Sequence, residues 1–168
     1  LRKVVRLEKV HFRYVLDQQD VISSLDLEIR RGERIGIIGS TGGGKSTTVD
    51  LLMGLLRPTE GRLLVDGTNI HDPGYPELLL AWRKSIAHVP QSIYLADRSF
   101  AENIAFGVPR DAIDLSQVRK AAEQAQIAGF IEDNPKGYAG FVGERGIRLS
   151  GGQRQRIGIA RALYKEAK

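Results

Sequence analysis

The chain has 168 residues, 42% hydrophobic and 27% charged, with no cysteine. This length matches one domain with an ordinary buried core, and the lack of cysteine excludes a disulfide scaffold, a thiolate metal site and a cysteine nucleophile. No apolar run approaches the roughly 20 residues of a membrane-spanning helix and no signal-peptide pattern opens the chain, which reads as a soluble intracellular domain.

The formal charge of +5 raises the question of nucleic-acid binding. Its distribution argues otherwise. Residues 145–168 hold seven basic side chains against Glu166 alone, so the basicity belongs to one C-terminal segment and the rest of the chain is nearly neutral.

Residues 4–14 alternate apolar and polar in part and predict an exposed strand. Asp17 to Asp20 reads as a polar turn, and residues 21–30 alternate again, so the two stretches fit an antiparallel pair. Arg31-Gly32-Glu33 leads into Ile35-Gly36-Ile37-Ile38, a short apolar run typical of a buried strand. Residues 45–56 have helical spacing in Val49, Leu52, Met53 and Leu56, and Arg57-Pro58 is expected to stop the helix. Asp66-Gly67 between two short strand patterns predicts a tight hairpin, and residues 85–90 another short strand. Ser99-Phe100-Ala101-Glu102 has the spacing of a capping box. Helices are expected over residues 116–127 and 150–166. Phe12, Trp82, Phe100 and Phe130 are candidate core residues. His11, His71 and His88 show no metal-ligand spacing.

Two motifs carry chemistry. Gly39-Ser40-Thr41-Gly42-Gly43-Gly44-Lys45-Ser46-Thr47 matches G-x-x-x-x-G-K-[ST] between a predicted strand and a predicted helix. Glycines let such a loop turn its N–H groups inward as an anion nest. The following helix adds unsatisfied N–H groups and a positive dipole end. Lys45 offers a charge for the β- and γ-phosphates, and the Ser46 hydroxyl is a Mg²⁺ ligand candidate. The second motif, Ser150-Gly151-Gly152-Gln153, opens the last helix and is a second anion-receptive N-terminus, or by itself an ordinary N-cap.

With both motifs in this order, the sequence resembles the nucleotide-binding domain of ATP-binding cassette (ABC) transporters, from about residue 4 to 168. The resemblance implies an α/β fold: a P-loop NTPase core with an N-terminal antiparallel β-subdomain and a helical signature subdomain. Residues 1–90 would hold the β-subdomain and phosphate-loop core, and residues 91–168 the helical subdomain and signature helix. It implies ATP and Mg²⁺ as ligands, with Tyr14 as the adenine-stacking aromatic and Gln91 as the glutamine that senses Mg²⁺ and the attacking water. Ser150 and Gly152 would meet the γ-phosphate bound by a second nucleotide-binding domain in a head-to-tail dimer. A transmembrane domain would be the other partner, placing the parent protein at the cytoplasmic face of a membrane. Val142-Gly143-Glu144-Arg145-Gly146 and Glu102-Asn103-Ile104 are similar to the exporter pattern, so an exporter or lipid/glycan flippase is favoured.

The family's next elements, a hydrophobic strand ending in Asp-Glu and then a switch histidine, do not follow Leu163. The chain therefore reads as an incomplete domain in which no residue is assigned as catalytic base, and Glu166 is an exposed helix-end residue. Two strands of the family sheet would be missing between residues 35–38 and 86–89. Strand pairing between chains, rearrangement, or disorder near the end is expected to compensate. By the resemblance Arg154, Arg156 and Arg161 lie on a helix that faces nucleotide and the dimer surface; the plainer alternative is a solvated helical face, partly unpaired. The alternative function is a non-enzymatic nucleotide-binding or regulatory module.

Overall fold

The computed structural model describes residues 4–143 and 149–165. Its contacts divide the chain into two compact units, Leu1–Ile86 and Ala87–Ala167.

The first unit is built on a four-stranded antiparallel sheet in the order β2-β1-β3-β4, from β1 (Val4–Phe12), β2 (Ile22–Arg30), β3 (Glu60–Val65) and β4 (Thr68–Asn69). The partial alternation of β1 has a cause. Val5 and Leu7 are buried, and so are Val10 and Phe12, but the step from Leu7 to Val10 is odd. A bulge absorbs the extra residue: Lys9 takes φ 45° and the pairing with both neighbouring strands shifts there, returning Val10 to the core face. Ser24, at φ 51°, does the same between Ile22 and Leu25. Gly61 of β3 packs against the bulge so closely that a Cβ would lie 2.5 Å from the Glu8 carbonyl oxygen. Asp66 and Gly67, at φ 51° and 86°, form the expected hairpin turn between β3 and β4.

Helix α1 (Lys45–Leu52) packs Leu51 into the core of this sheet. It stops earlier than Arg57-Pro58, because Gly54 turns left-handed at φ 68° directly after the Met53 cap. Helix α2 (Pro76–Ser85), which the sequence pattern did not reveal, satisfies the end of α1. Its Trp82 Nε1 donates to the Leu52 carbonyl at 2.8 Å, and Arg83 donates to the Gly54 carbonyl. Trp82 is accordingly only half-buried at the margin of the core.

The predicted strands at residues 35–38 and 85–90 do not form. Ile35, Ile37 and Ile38 are exposed, Ile38 by 94%. A buried parallel strand exists only through its neighbours' hydrogen bonds and side chains, and the described residues supply none to either stretch. The expected compensation by rearrangement into one continuous sheet is therefore absent among the described residues. The expected disorder near the end falls on residues 166–168, outside them.

The second unit is helical, with α3 (Phe100–Ile104), α4 (Leu115–Gln124), α5 (Ala128–Glu132) and α6 (Gly151–Tyr164). Ile104, Val118, Ile127, Ile131 and Ile157 form its fully buried centre. The predicted capping box closes at α3, where Glu102 N–H donates to Ser99 Oγ and Glu102 receives the Ser99 N–H. Asp114 caps α4, which ends before residue 127 because Gln126 adopts φ 57°. Phe100 is buried, whereas Phe130 meets it edge-on from a position 38% exposed. No helix among the described residues is long and apolar enough to cross a membrane.

Candidate functional site

The glycine loop belongs to the first unit and ends at Gly44, the N-cap of α1, in left-handed conformation (φ 78°). No other residue fits there, since a Cβ would lie 2.6 Å from Ile22 Cδ1 and 3.1 Å from the Val21 carbonyl oxygen. Gly44 carries no side chain to cap the helix, so the first-turn N–H groups of α1 receive no side-chain acceptor. That is the condition an anion site requires, and the residues present fit a phosphate group. Gly39, Ser40, Thr41, Gly42 and Gly43 are all exposed, with a turn closed by Gly43 N–H on the Ser40 carbonyl at 3.2 Å. Lys45 Nζ folds back over the loop, donating to the carbonyls of Gly39 (3.0 Å) and Ser40 (2.6 Å). Ser46 is exposed on the first turn of α1, leaving its hydroxyl accessible.

Thr47 and Thr48 face the protein instead. Thr48 Oγ1 donates to the Gly44 carbonyl at 3.0 Å, and Thr47 Oγ1 lies 3.1 Å from the Tyr14 hydroxyl. Tyr14 is thus joined to α1 across the loop between β1 and β2. Its ring stands 61% exposed and is braced edge-on by Phe12, with ring centres 4.9 Å apart. An aromatic face so held is available for stacking.

The root of the Tyr14 loop carries a charge cluster that sequence reading passed over as a polar turn. Asp20 Oδ2 accepts from His11 Nδ1 at 2.8 Å, and its Oδ1 lies 2.8 Å from Arg13 Nε. The His11 hydrogen bond, with the Arg13 charge behind it, holds the Asp20 carboxyl below the usual carboxylate range against the opposing effect of burial. The signal was present in the charged residues on both sides of Tyr14, but only the hairpin brings them together.

The second glycine motif lies in the second unit. Ser150 N-caps α6 in a full capping box: Gln153 N–H donates to Ser150 Oγ (3.2 Å) and Ser150 N–H to Gln153 Oε1 (2.8 Å). Gly151 and Gly152 are exposed, with open space where a Cβ would stand. Gln91 is exposed too, and its backbone carbonyl accepts from Gln155 Nε2 of α6 at 2.8 Å, so α6 fixes the backbone next to the signature helix. The arginines of α6 do not form an unpaired solvated face. Arg154 donates to the Leu149 carbonyl and Arg156 to the Gln126 carbonyl. Arg161 donates to the carbonyls of Asn103 (3.0 Å) and Tyr94 (3.1 Å) and lies over the Phe106 ring. All three arginines therefore bond to backbone carbonyls of their own unit. Glu144, Arg145 and Gly146 of the exporter-like segment lie outside the described residues.

The uncapped glycine loop before α1 and the sheet beside it define a P-loop nucleotide-binding fold with a helical signature subdomain. The chain belongs to the ABC transporter family, whose model matches residues 22–168. It is 47% identical over 163 residues to an ATP-dependent lipid A-core flippase of Chromohalobacter salexigens, covering 97% of this chain and 27% of that protein. It is 41% identical over 165 residues to YgaD, a putative multidrug export ATP-binding/permease protein of Bacillus subtilis, again 27% of its length. Among solved structures, a bacterial Atm1-family ABC exporter with ATP bound superposes with a TM-score of 0.85 at 40% identity, over 98% of this chain and 27% of that one. The chain thus spans about a quarter of the length of the proteins it matches.

Proposed function

We propose that this chain is the ATP-binding portion of an ABC exporter or flippase that couples ATP binding and hydrolysis to transport across a membrane. The observation that carries the reading is the left-handed, side-chain-free N-cap at Gly44, with Lys45 Nζ resting on loop carbonyls at its mouth. In this reading the N–H groups of residues 39–47 hold the phosphates. Lys45 exchanges two neutral carbonyls for phosphate oxygens, a stronger charge-assisted pairing. Tyr14 supports the adenine, and Ser46 and Gln91 contribute to holding Mg²⁺. Bound Mg²⁺ would neutralise charge on the phosphates.

Ser150, Gly151, Gly152 and Gln153 form the second anion surface, used on the nucleotide of a second nucleotide-binding domain. A transmembrane domain is the other partner and holds this chain at the cytoplasmic face of the membrane. Residues 1–90 form the β-subdomain with the phosphate loop, and residues 91–168 the helical subdomain with the signature helix. No residue of the chain is assigned as the catalytic base. The likeness to a lipid A-core flippase and to a putative multidrug exporter supports the exporter class.

The test is equilibrium binding of ATP to the chain by titration calorimetry. Lys45→Ala removes a charged hydrogen-bond donor, an interaction of about 1.5–3 kcal/mol, so affinity falls about 10- to 100-fold. Unchanged binding would overturn the assignment.

A further inference from the structure

The loop between β1 and β2 has a mechanical problem. It must hold Tyr14 in one place, yet its own apolar residues do not anchor it: Val15 and Leu16 are 51% and 77% exposed. Among the described residues Tyr14 itself is held by the Thr47 hydroxyl and the edge of Phe12. What fixes the loop lies at its root. The Val21 N–H donates to the Phe12 carbonyl at 2.8 Å, closing the hairpin one residue beyond Asp20. Asp20 then reaches back across the gap to both His11, on β1, and Arg13, the residue before Tyr14.

We infer that Asp20 is a positioning residue for nucleotide-base binding, acting on Tyr14 through Arg13. Three further contacts make Arg13 a suitable relay. Its backbone N–H donates to Thr59 Oγ1 at 3.2 Å, its Nη1 to the Leu16 carbonyl at 3.5 Å, and its Nη2 lies 3.7 Å from Glu60. Arg13 is therefore tied to β3 on one side, to the loop beyond Tyr14 on the other, and to Asp20 across the root. The carboxylate only accepts, so His11 Nδ1 carries the proton and donates to Oδ2, while Oδ1 meets the Arg13 guanidinium as an ion pair without hydrogen-bond geometry. Exposed ion pairs contribute little. This one differs, because the Asp20 side chain is only 16% exposed and holds one hydrogen-bond donor and one guanidinium, each at 2.8 Å, which reduces both screening and the freedom that must be lost. Removing the carboxylate charge cuts the tie of Arg13 across the root and loosens the backbone that leads into Tyr14 and its contact with Thr47.

This inference rests on the reading of Tyr14 as the base platform, and the experiment separates the two. ATP and inorganic tripolyphosphate are titrated into the chain, its Asp20→Asn and Asp20→Glu variants, and Tyr14→Ala. Asp20→Asn weakens ATP about fivefold or more, the lower end of what one base–aromatic stack contributes, and leaves tripolyphosphate affinity unchanged. Asp20→Glu, which keeps an ionised acceptor, restores part of the ATP preference. Asp20→Asn combined with Tyr14→Ala loses no more than Tyr14→Ala alone. If Tyr14→Ala lowers ATP affinity selectively but Asp20→Asn does not, or if Asp20→Asn weakens both ligands equally, the positioning role is wrong. If Tyr14→Ala leaves ATP binding intact, or the parent chain binds neither ligand, the underlying reading fails and the inference with it. Should Asp20→Asn lose the native circular dichroism spectrum, Arg13→Gln, which cuts the relay while keeping the His11–Asp20 contact, carries the same expectation and the same refutation.

Discussion

Replacing Asn103 by alanine removes a side chain that is fully buried in α3 and bonded only to backbone. Its Oδ1 accepts the Ala96 N–H at 2.9 Å, and its Nδ2 donates to the carbonyls of Ala96 (3.0 Å), Ser99 (3.1 Å) and Arg98 (3.4 Å). The three carbonyls keep other donors, since Ala96 O also accepts from Arg98 N–H, Ser99 O from Asn103 N–H and Arg98 O from Val142 N–H. Among the described residues the Ala96 N–H is the group left without a partner. Orphaning the part-buried Ala96 N–H costs about 1 kcal/mol and each of the three lost donations about 1 kcal/mol, while alanine recovers about 0.6 kcal/mol of helix propensity. The net loss is about 3 kcal/mol. Native-state hydrogen exchange of the peptides around residues 94–106 reads it as a lower opening free energy. Asn103→Asp distinguishes bonding from volume. It keeps the acceptor for Ala96 N–H but turns an oxygen toward three carbonyls, so it is at least as destabilising as alanine. A loss below about 1 kcal/mol for alanine, or a neutral aspartate, would refute the hydrogen-bond account.

Two further expectations concern the first unit, where Trp82 fluorescence during urea unfolding is the common readout. Gly61→Ala and Gly67→Ala both force alanine into left-handed backbone, at φ 82° and 86°, but only Gly61 faces backbone atoms at contact distance. Gly67→Ala therefore costs about 1 kcal/mol and Gly61→Ala at least about 2 kcal/mol more; equal losses would contradict the tight approach to the Lys9 bulge. The His71 ring is held below its ordinary titration range by burial first, then by the charges of Arg57 and Arg83. The unfolded chain consequently takes up this proton first, and stability falls as pH drops below about 6.5 until the folded ring titrates. His71→Asn should flatten that part of the profile, and an unchanged slope would remove His71 as its source.

Much of the architecture could be read along the chain because local chemistry decided it. Asp66-Gly67 permits the left-handed pair a tight hairpin needs, and Ser99 with Glu102 closes a capping box whatever surrounds it. Ser150 was legible as the N-cap of α6, though its reciprocal bond with Gln153 came only with the structure. The glycine loop was legible for the same reason, since its spacing encodes a backbone shape. Even the bulges leave a trace in the three-residue steps from Leu7 to Val10 and Ile22 to Leu25.

Other features depended on distant partners and carried no local signal. Ile35, Ile37 and Ile38 have the composition of a buried strand, but a strand is a relation between segments, and the described residues offer this one no neighbour. Arg161 looked like a solvent cation until α6 met the Asn103 and Tyr94 carbonyls. Asp20 looked like a turn residue until the hairpin set it against His11 and Arg13. The sequence by itself determined the glycine loop, the caps and the family, because each rests on residues a few positions apart. Only the tertiary structure decided which charges meet and which apolar run stays uncovered, because those outcomes depend on contacts between segments far apart in the chain.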